Sequence, residues 1–201
     1  MALRRGFKTE ANQIAREVRA ELGLCLVDPL DPWALARHLA IPVVPLSHFR
    51  GAAAEAVHHF HRVDRGAFSA VTVSDGSRRL IVYNDGHSLG RRASDLAHEL
   101  AHALLLHRPG PALDHRGCRR WNGEQEEEAS WLAGALLISE EAALQVAGSC
   151  QTVYEAARLY RVSEAMMTFR LNVTAALRRV AQTRGLRAPT KRTGGVRETR
   201  G

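Results

Sequence analysis

The stretch 91-RRASDLAHELAHALLLH-107 constrains the fold of this chain more than any other. Leu96, Ala97, Leu100, Ala101, Leu104 and Leu105 fall on one side of an α-helix. His98 and His102 stand four residues apart, so they project from one face of that helix, with Glu99 one step round. Such a helix has to bury its apolar side against a partner and leave the histidine side at the edge of a cleft. Two imidazoles at this spacing can grip one metal ion, with the carboxylate in reach of a water beside it, which is the mechanical content of HExxH. The plainer reading is two ordinary helix histidines, because a five-residue motif also arises by chance. A third ligand has to decide between them.

Metal-site spacing points downstream to 124-EQEEEASWLAGALL-137. Acidic residues in a first helical turn are favoured by the helix dipole, which alone accounts for four glutamates there. Helical phase separates them. Glu126 shares a face with Ala129, Ser130, Ala133 and Leu137, the small and apolar side that turns to a core. Glu124 and Glu127 point elsewhere, and Glu128 lies beside Trp131 and Leu132. A carboxylate entering a core needs a partner, and a metal ion held by two histidines would be one. Glu127 and Glu128 stay open as alternatives.

The remaining elements read as follows. A helix over 9–22 has Thr9 as its cap and Gly23 as its end. Asp31-Pro32-Trp33 starts a short helix, with Asp at the N-cap and Pro at the first helical position. The segment 41-IPVVPL-46 is extended, and its prolines place it at a sheet edge. In 68-FSAVTVSDGSRRLIVYND-85, two β-rich runs flank Asp75-Gly76 and predict a hairpin. The HELAH helix runs over 88–107 and is stopped by Pro109-Gly110-Pro111, followed by a polar loop over 108–121. A second long helix begins at Asn122, with Gln125 placed as a capping-box partner. Ser139 caps a helix to Val146, and two more helices follow over 151–159 and 163–182, with Ser163 as an N-cap. The fold class is α+β: one mostly helical domain over 1–182, with a small sheet (hairpin 68–84) beside the HELAH helix.

The net charge of +7 suggests nucleic acid until it is located. Eight of the basic residues and a single acid lie in 178–201, so that segment carries the whole excess and 1–177 is neutral. The segment 183–201, rich in Gly, Thr and Arg, is expected to be a disordered tail with at most weak contact to nucleic acid. No apolar run approaches the 18 or so residues of a membrane span. The opening residues have two arginines but no apolar run behind them, which is not the pattern of a secretory signal. Cys25, Cys118 and Cys150 are scattered and odd in number, which predicts reduced thiols and a cytoplasmic setting.

The order 98-HELAHALLLH-107, a polar loop, then 126-EEEASWLAGALLIS-139 resembles the ImmA/IrrE family of metallo-endopeptidases. The upstream stretches 6-GFKTEANQIAREVRAELGL-24 and 30-LDPWALARHLAIPV-43 agree, so the resemblance spans about residues 6–177. It implies a small gluzincin with a zincin-like domain. Zinc would be held by His98, His102 and Glu126, with Glu99 as the general base that takes a proton from water and returns it to the leaving amine. In related zincins an Asp or Asn four residues after the ligand glutamate braces a histidine, and here that position is Ser130, a departure. A hydroxyl accepts an imidazole N–H less strongly than a carboxylate does. The resemblance further implies an edge strand before the HELAH helix that holds substrate as an added strand. It also implies a substrate that is a helix-turn-helix transcriptional repressor, here expected as a separate protein, whose cleavage relieves repression.

Other residues draw plainer readings. His58, His59 and His61 have no acid or Cys at a supporting spacing and read as an exposed strand or loop. His115 and Cys118 read as plain loop residues, and Trp33, Trp121 and Trp131 as packing. His107 ends a helix, where a donor suits the free carbonyls. Tyr83, His107, Tyr154 and Tyr160 are candidates, by type only, to stabilise a transition-state oxyanion. The rival function is a non-catalytic regulator that binds a repressor or DNA. The segment 151–177 superficially resembles a helix-turn-helix, but its second helix offers Thr168, Arg170 and Asn172 rather than a basic reading face.

Overall fold

The computed structural model describes residues 3–75, 78–107 and 122–185. Helix α1 (Phe7–Glu21) and the short helix α2 (Pro32–His38) lead to strand β1 (Val43–Pro45). A 3₁₀ turn (Leu46–Gly51), helix α3 (Ala54–His58) and a π-turn (His59–Val63) connect it to strands β2 (Ala70–Asp75) and β3 (Arg78–Tyr83). Five helices follow: α4 (Leu89–Leu104), α5 (Gly123–Leu137), α6 (Glu140–Gly148), α7 (Val153–Leu159) and α8 (Glu164–Val173). The last described helix is α9 (Ala176–Thr183). The fold is the expected α+β, mostly helical with one small sheet.

The sheet has the order β1-β3-β2. The hairpin forms as predicted: β2 pairs antiparallel with β3, with Thr72 opposite Ile81. The strand β1 runs parallel to β3 on the other side. It is an edge strand, as its prolines require, and the Pro42 carbonyl still accepts the Ile81 N–H at 2.9 Å.

Helix α4 is the centre of the molecule. Its apolar stripe, Leu96, Ala97, Leu100 and Ala101, is fully buried against α5 and the sheet. On α5, Ala129 and Ala133 are equally buried, and small residues on both helices allow their backbones to come close. The other side of α5 packs on α1, through Phe7, Ala11, Ala15, Leu132 and Leu136. Gly90 sets the entry of α4: a Cβ there would stand 2.9 Å from the Val162 carbonyl carbon, so only glycine lets the helix meet the turn between α7 and α8. Among the described residues Arg19 and Arg170 are the wholly buried arginines. Arg19 donates to the Ala135 and Leu136 carbonyls, and Arg170 donates through Nε to Ile138. Both cations sit at the C-terminal end of α5, where free carbonyls and the helix dipole favour positive charge.

Several boundaries differ from the sequence reading. Helix α1 starts at Phe7, capped by the left-handed Gly6 rather than by Thr9, because the buried Phe7 anchors the first turn. Asn122 caps α5 by accepting the Glu124 N–H; Gln125 forms no capping box. The helix predicted over 163–182 is two helices, broken at Ala175 with φ 52°. The break lets α9 fold back on α6 and bury Ala176. Helix α4 ends at Leu104 without any proline: Leu106 turns left-handed and the last carbonyls are closed by its own backbone. His58, His59 and His61 lie on helix and π-turn, not on strand or loop. The caps at Asp31, Ser139 and Ser163 form as read. The loop 108–121, with Pro109, His115, Cys118 and Trp121, and the segment 186–201 lie outside the described residues. Among the described residues no helix is long and apolar enough to cross a membrane.

Candidate metal centre and catalytic cleft

The i, i+4 spacing on α4 brings His98 and His102 together, with their Nε2 atoms 3.0 Å apart. Helix α5 crosses beside them and delivers Glu126, whose Oε2 lies 3.0 Å from His98 Nε2 and 3.6 Å from His102 Nε2. Glu126 lies in a first turn whose next residues on that face, Ala129 and Ala133, are small enough to let its short side chain reach the histidines. Burial by itself would raise the Glu126 carboxyl, but hydrogen bonds to His102 and His98 and their charge outweigh it and hold the group well below the usual carboxylate range.

These three atoms fit a metal ion. Ligands placed tetrahedrally at about 2.0–2.1 Å from zinc stand roughly 3.3 Å apart, and the observed separations bracket that value. Among the described residues, His98, His102 and Glu126 are the one group of three such side chains whose ligand atoms converge. Two imidazole nitrogens and a carboxylate oxygen are also the donor types that zinc takes. The far side of each ring is occupied. Ser130 Oγ lies 3.3 Å from His98 Nδ1, on the position read as the departure from related zincins. His102 Nδ1 lies 2.9 Å from His107 Nδ1.

Glu99 is buried, 5% exposed, at the wall of the same cleft. Thr72 of β2 donates its hydroxyl to Glu99 Oε2 at 2.5 Å. That contact ties β2, the other edge strand of the sheet, to the HELAH helix. The cleft has a volume of about 250 Å³ and is walled by residues 66–70 leading into β2 and by Asp95, His98, Glu99 and Glu126. On the other side of Glu126 a larger groove of about 630 Å³ is lined by Leu3, Lys8, Ser130, Trp131 and Phe169. Asp95, one helical turn before His98, lies 3.3 Å from His87 Nδ1; burial raises its carboxyl, against that bond and the charge of Arg91.

The sequence candidates fare differently. The structure brings together His98, His102, Glu126, Glu99 and Ser130. Of the alternative ligands, Glu128 turns away to accept from Arg4 Nε at 2.7 Å and to face His107 Nε2 at 3.3 Å. His107 does not lie over the helix carbonyls with its side chain; only its backbone N–H does so, to His102. Burial pushes its imidazole down, against the bond to Glu128. Tyr160 donates to the Val27 carbonyl, Tyr154 stands exposed beside Arg158, and Tyr83 packs edge-on to Trp33, so none of the three lines the cleft. Among the described residues the His58, His59 and His61 set gathers no metal site: His61 pairs with Asp85 at 3.1 Å, an acid brought in from the turn after β3. Thr72 is not among the sequence candidates, although the alternation of 70-AVTVS-74 puts it on one face with Ala70 and Ser74. Arg170, one of the three residues offered by the helix-turn-helix reading, is buried under Ile138 and unavailable to DNA.

No curated protein matches this chain. A peptidase M78 family model, described as the IrrE N-terminal-like domain, matches residues 43–172. That span runs from β1 nearly to the end of α8 and takes in Thr72, His98, Glu99, His102, Glu126 and Ser130. Matched over more than half its length and across every side chain of the candidate centre, the chain belongs to the ImmA/IrrE family of metallopeptidases.

Proposed function

We propose that the chain is a zinc-dependent endopeptidase. One observation carries the reading: three metal-type ligand atoms converge within 3.6 Å, and the buried Glu99 faces the same cleft under a hydrogen bond from an edge strand. His98, His102 and Glu126 would hold the ion, which, when bound, supplies a Lewis acid and lowers the pKa of water. Glu99 takes a proton from the attacking water and later delivers it to the amine nitrogen, so that water adds across the broken C–N bond. Thr72 keeps one carboxylate oxygen of Glu99 fixed and leaves the other for the proton. The substrate lies along β2 as an added strand, with its backbone paired to the free edge.

The substrate class is carried by the family resemblance: a helix-turn-helix transcriptional repressor, in a cytoplasmic setting. The test is metal content of the purified chain beside His102→Ala and Glu126→Ala, followed by mass-spectrometric reading of cleavage in an unstructured peptide library. About one zinc per chain is expected, lost in both variants, with cleavage absent in a Glu99→Gln variant that keeps its zinc. A wild-type chain that takes up no metal when zinc is supplied would sink the reading.

A further inference from the structure

We infer that His107 and Glu128 form a positioning pair that fixes the tautomer and ring orientation of His102, taking the place that a bracing carboxylate occupies directly in other sites. This rests on the reading of His102 as a metal ligand.

The proton assignment follows from three contacts. A metal needs the lone pair of His102 on Nε2, which puts the proton of that neutral ring on Nδ1. Nδ1 lies 2.9 Å from Nδ1 of His107, so His102 donates and His107 accepts. His107 then carries its own proton on Nε2, and that nitrogen faces Glu128 Oε2 at 3.3 Å, an acceptor that can only receive it. The other oxygen of Glu128 accepts from Arg4 Nε at 2.7 Å, and Arg4 is held in turn by Glu10. With both rings neutral and Glu128 ionised, the opposite assignment would turn the proton of His102 toward the ion and leave His107 Nε2 and Glu128 as two acceptors face to face.

The backbone supports the same reading. His107 reaches His102 because Leu106 takes a left-handed conformation, φ 54°, which a non-glycine residue adopts only at an energetic cost. Leu106 is 79% exposed, so burial of its side chain is not what holds that turn. The side chain placed by it is His107, whose ring is nearly enclosed. Helix α4 ends two residues after His102, so this ligand sits in a last turn, where helices fray. A brace from outside the helix is what such a position needs.

The experiment measures zinc affinity of the full chain by competition with a chromogenic chelator, and the visible spectrum of the cobalt-substituted protein. The variants are His107→Phe, His107→Asn, Glu128→Ala and His107→Phe/Glu128→Ala, with His102→Ala as control. Phenylalanine fills the same space without an acceptor; the asparagine oxygen occupies the place of Nδ1 and still accepts from His102. His107→Phe is expected to weaken zinc binding by about 10–100-fold and to shift the cobalt bands. His107→Asn should recover most of the affinity. Glu128→Ala should weaken binding alone and add nothing in the His107→Phe background, because it acts through His107. Wild-type affinity and spectrum in His107→Phe would overturn the proposal, as would equal losses in the Phe and Asn variants. Should His107→Phe fail to fold, Glu128→Ala decides: unchanged zinc affinity there overturns it. If the wild type and His102→Ala bind zinc equally, the metal-site reading itself has failed, and the brace falls with it.

Discussion

Behind His98 stands one serine hydroxyl, Ser130, on an exposed position of α5. Behind His102 stand three side chains in series: His107, Glu128 and Arg4. The two histidines are equivalent in the HELAH motif, yet their support differs in kind. A hydroxyl rotates, donates or accepts, and so does not dictate which nitrogen of His98 carries the proton. A carboxylate-backed imidazole does dictate it for His102. The difference matches the place of each residue on α4. His98 lies mid-helix, between the buried Ala97 and Leu100, where packing already holds the backbone. His102 lies in the last turn, past the densest packing, and takes its rigidity from side chains delivered by α5 and by the N-terminal segment. The two histidines of the candidate metal centre are thus held by different physics, packing for one and a polar chain for the other.

Substitutions at four residues sharpen that contrast, beginning with the largest effect. Glu99→Gln touches neither histidine; kcat should fall by about 10²–10⁴-fold while zinc content stays at the wild-type level, as read by kinetics and metal analysis. A parallel loss of zinc would mean that Glu99 serves the grip and not the chemistry. Thr72→Val removes the hydroxyl that orients Glu99 and should lower kcat by roughly tenfold, the lower end for a hydrogen bond to a charged group, again with zinc retained. Ser130 tests the weak side. Ser130→Ala should loosen zinc by only a few-fold, about the worth of one neutral hydrogen bond, well short of the His107→Phe effect. Ser130→Asp should instead tighten it, because a carboxylate accepts the His98 N–H more strongly. If Ser130→Ala costs as much as His107→Phe in the chelator competition, the asymmetry is wrong. Arg4→Ala should show the smallest change, since Arg4 is half exposed and screened by water, and it should vanish in the Glu128→Ala background.

Much of this architecture is legible in the order of residues alone. The HELAH helix, its buried stripe, the hairpin ahead of it and the phase of Glu126 all follow from helical and strand periods, which are local. The caps at Asp31, Ser139 and Ser163 are local too, because each side chain bonds a backbone N–H only two or three residues on. Sequence and structure part where a distant partner overrides a local signal. Thr9 has the chemistry of a cap, but burial of Phe7 moves the helix start. The pattern over 163–182 is continuous, but packing of α9 on α6 breaks the helix at Ala175. The histidines at 58–61 have no acid at a supporting metal-site spacing in sequence, and Asp85 arrives from across the fold.

By itself, then, the sequence determined the histidine-bearing face of α4, the carboxylate beside it and the acid run on the next helix, because residues three and four apart on a helix are neighbours whatever surrounds them. Only the tertiary structure decided which glutamate joins the histidines and which turns to His107. It also set Thr72 against Glu99 and placed Arg170 inside the core. Those choices depend on how two helices cross and where a strand edge falls, and hydrogen bonds between residues tens of positions apart leave no period for the sequence to show.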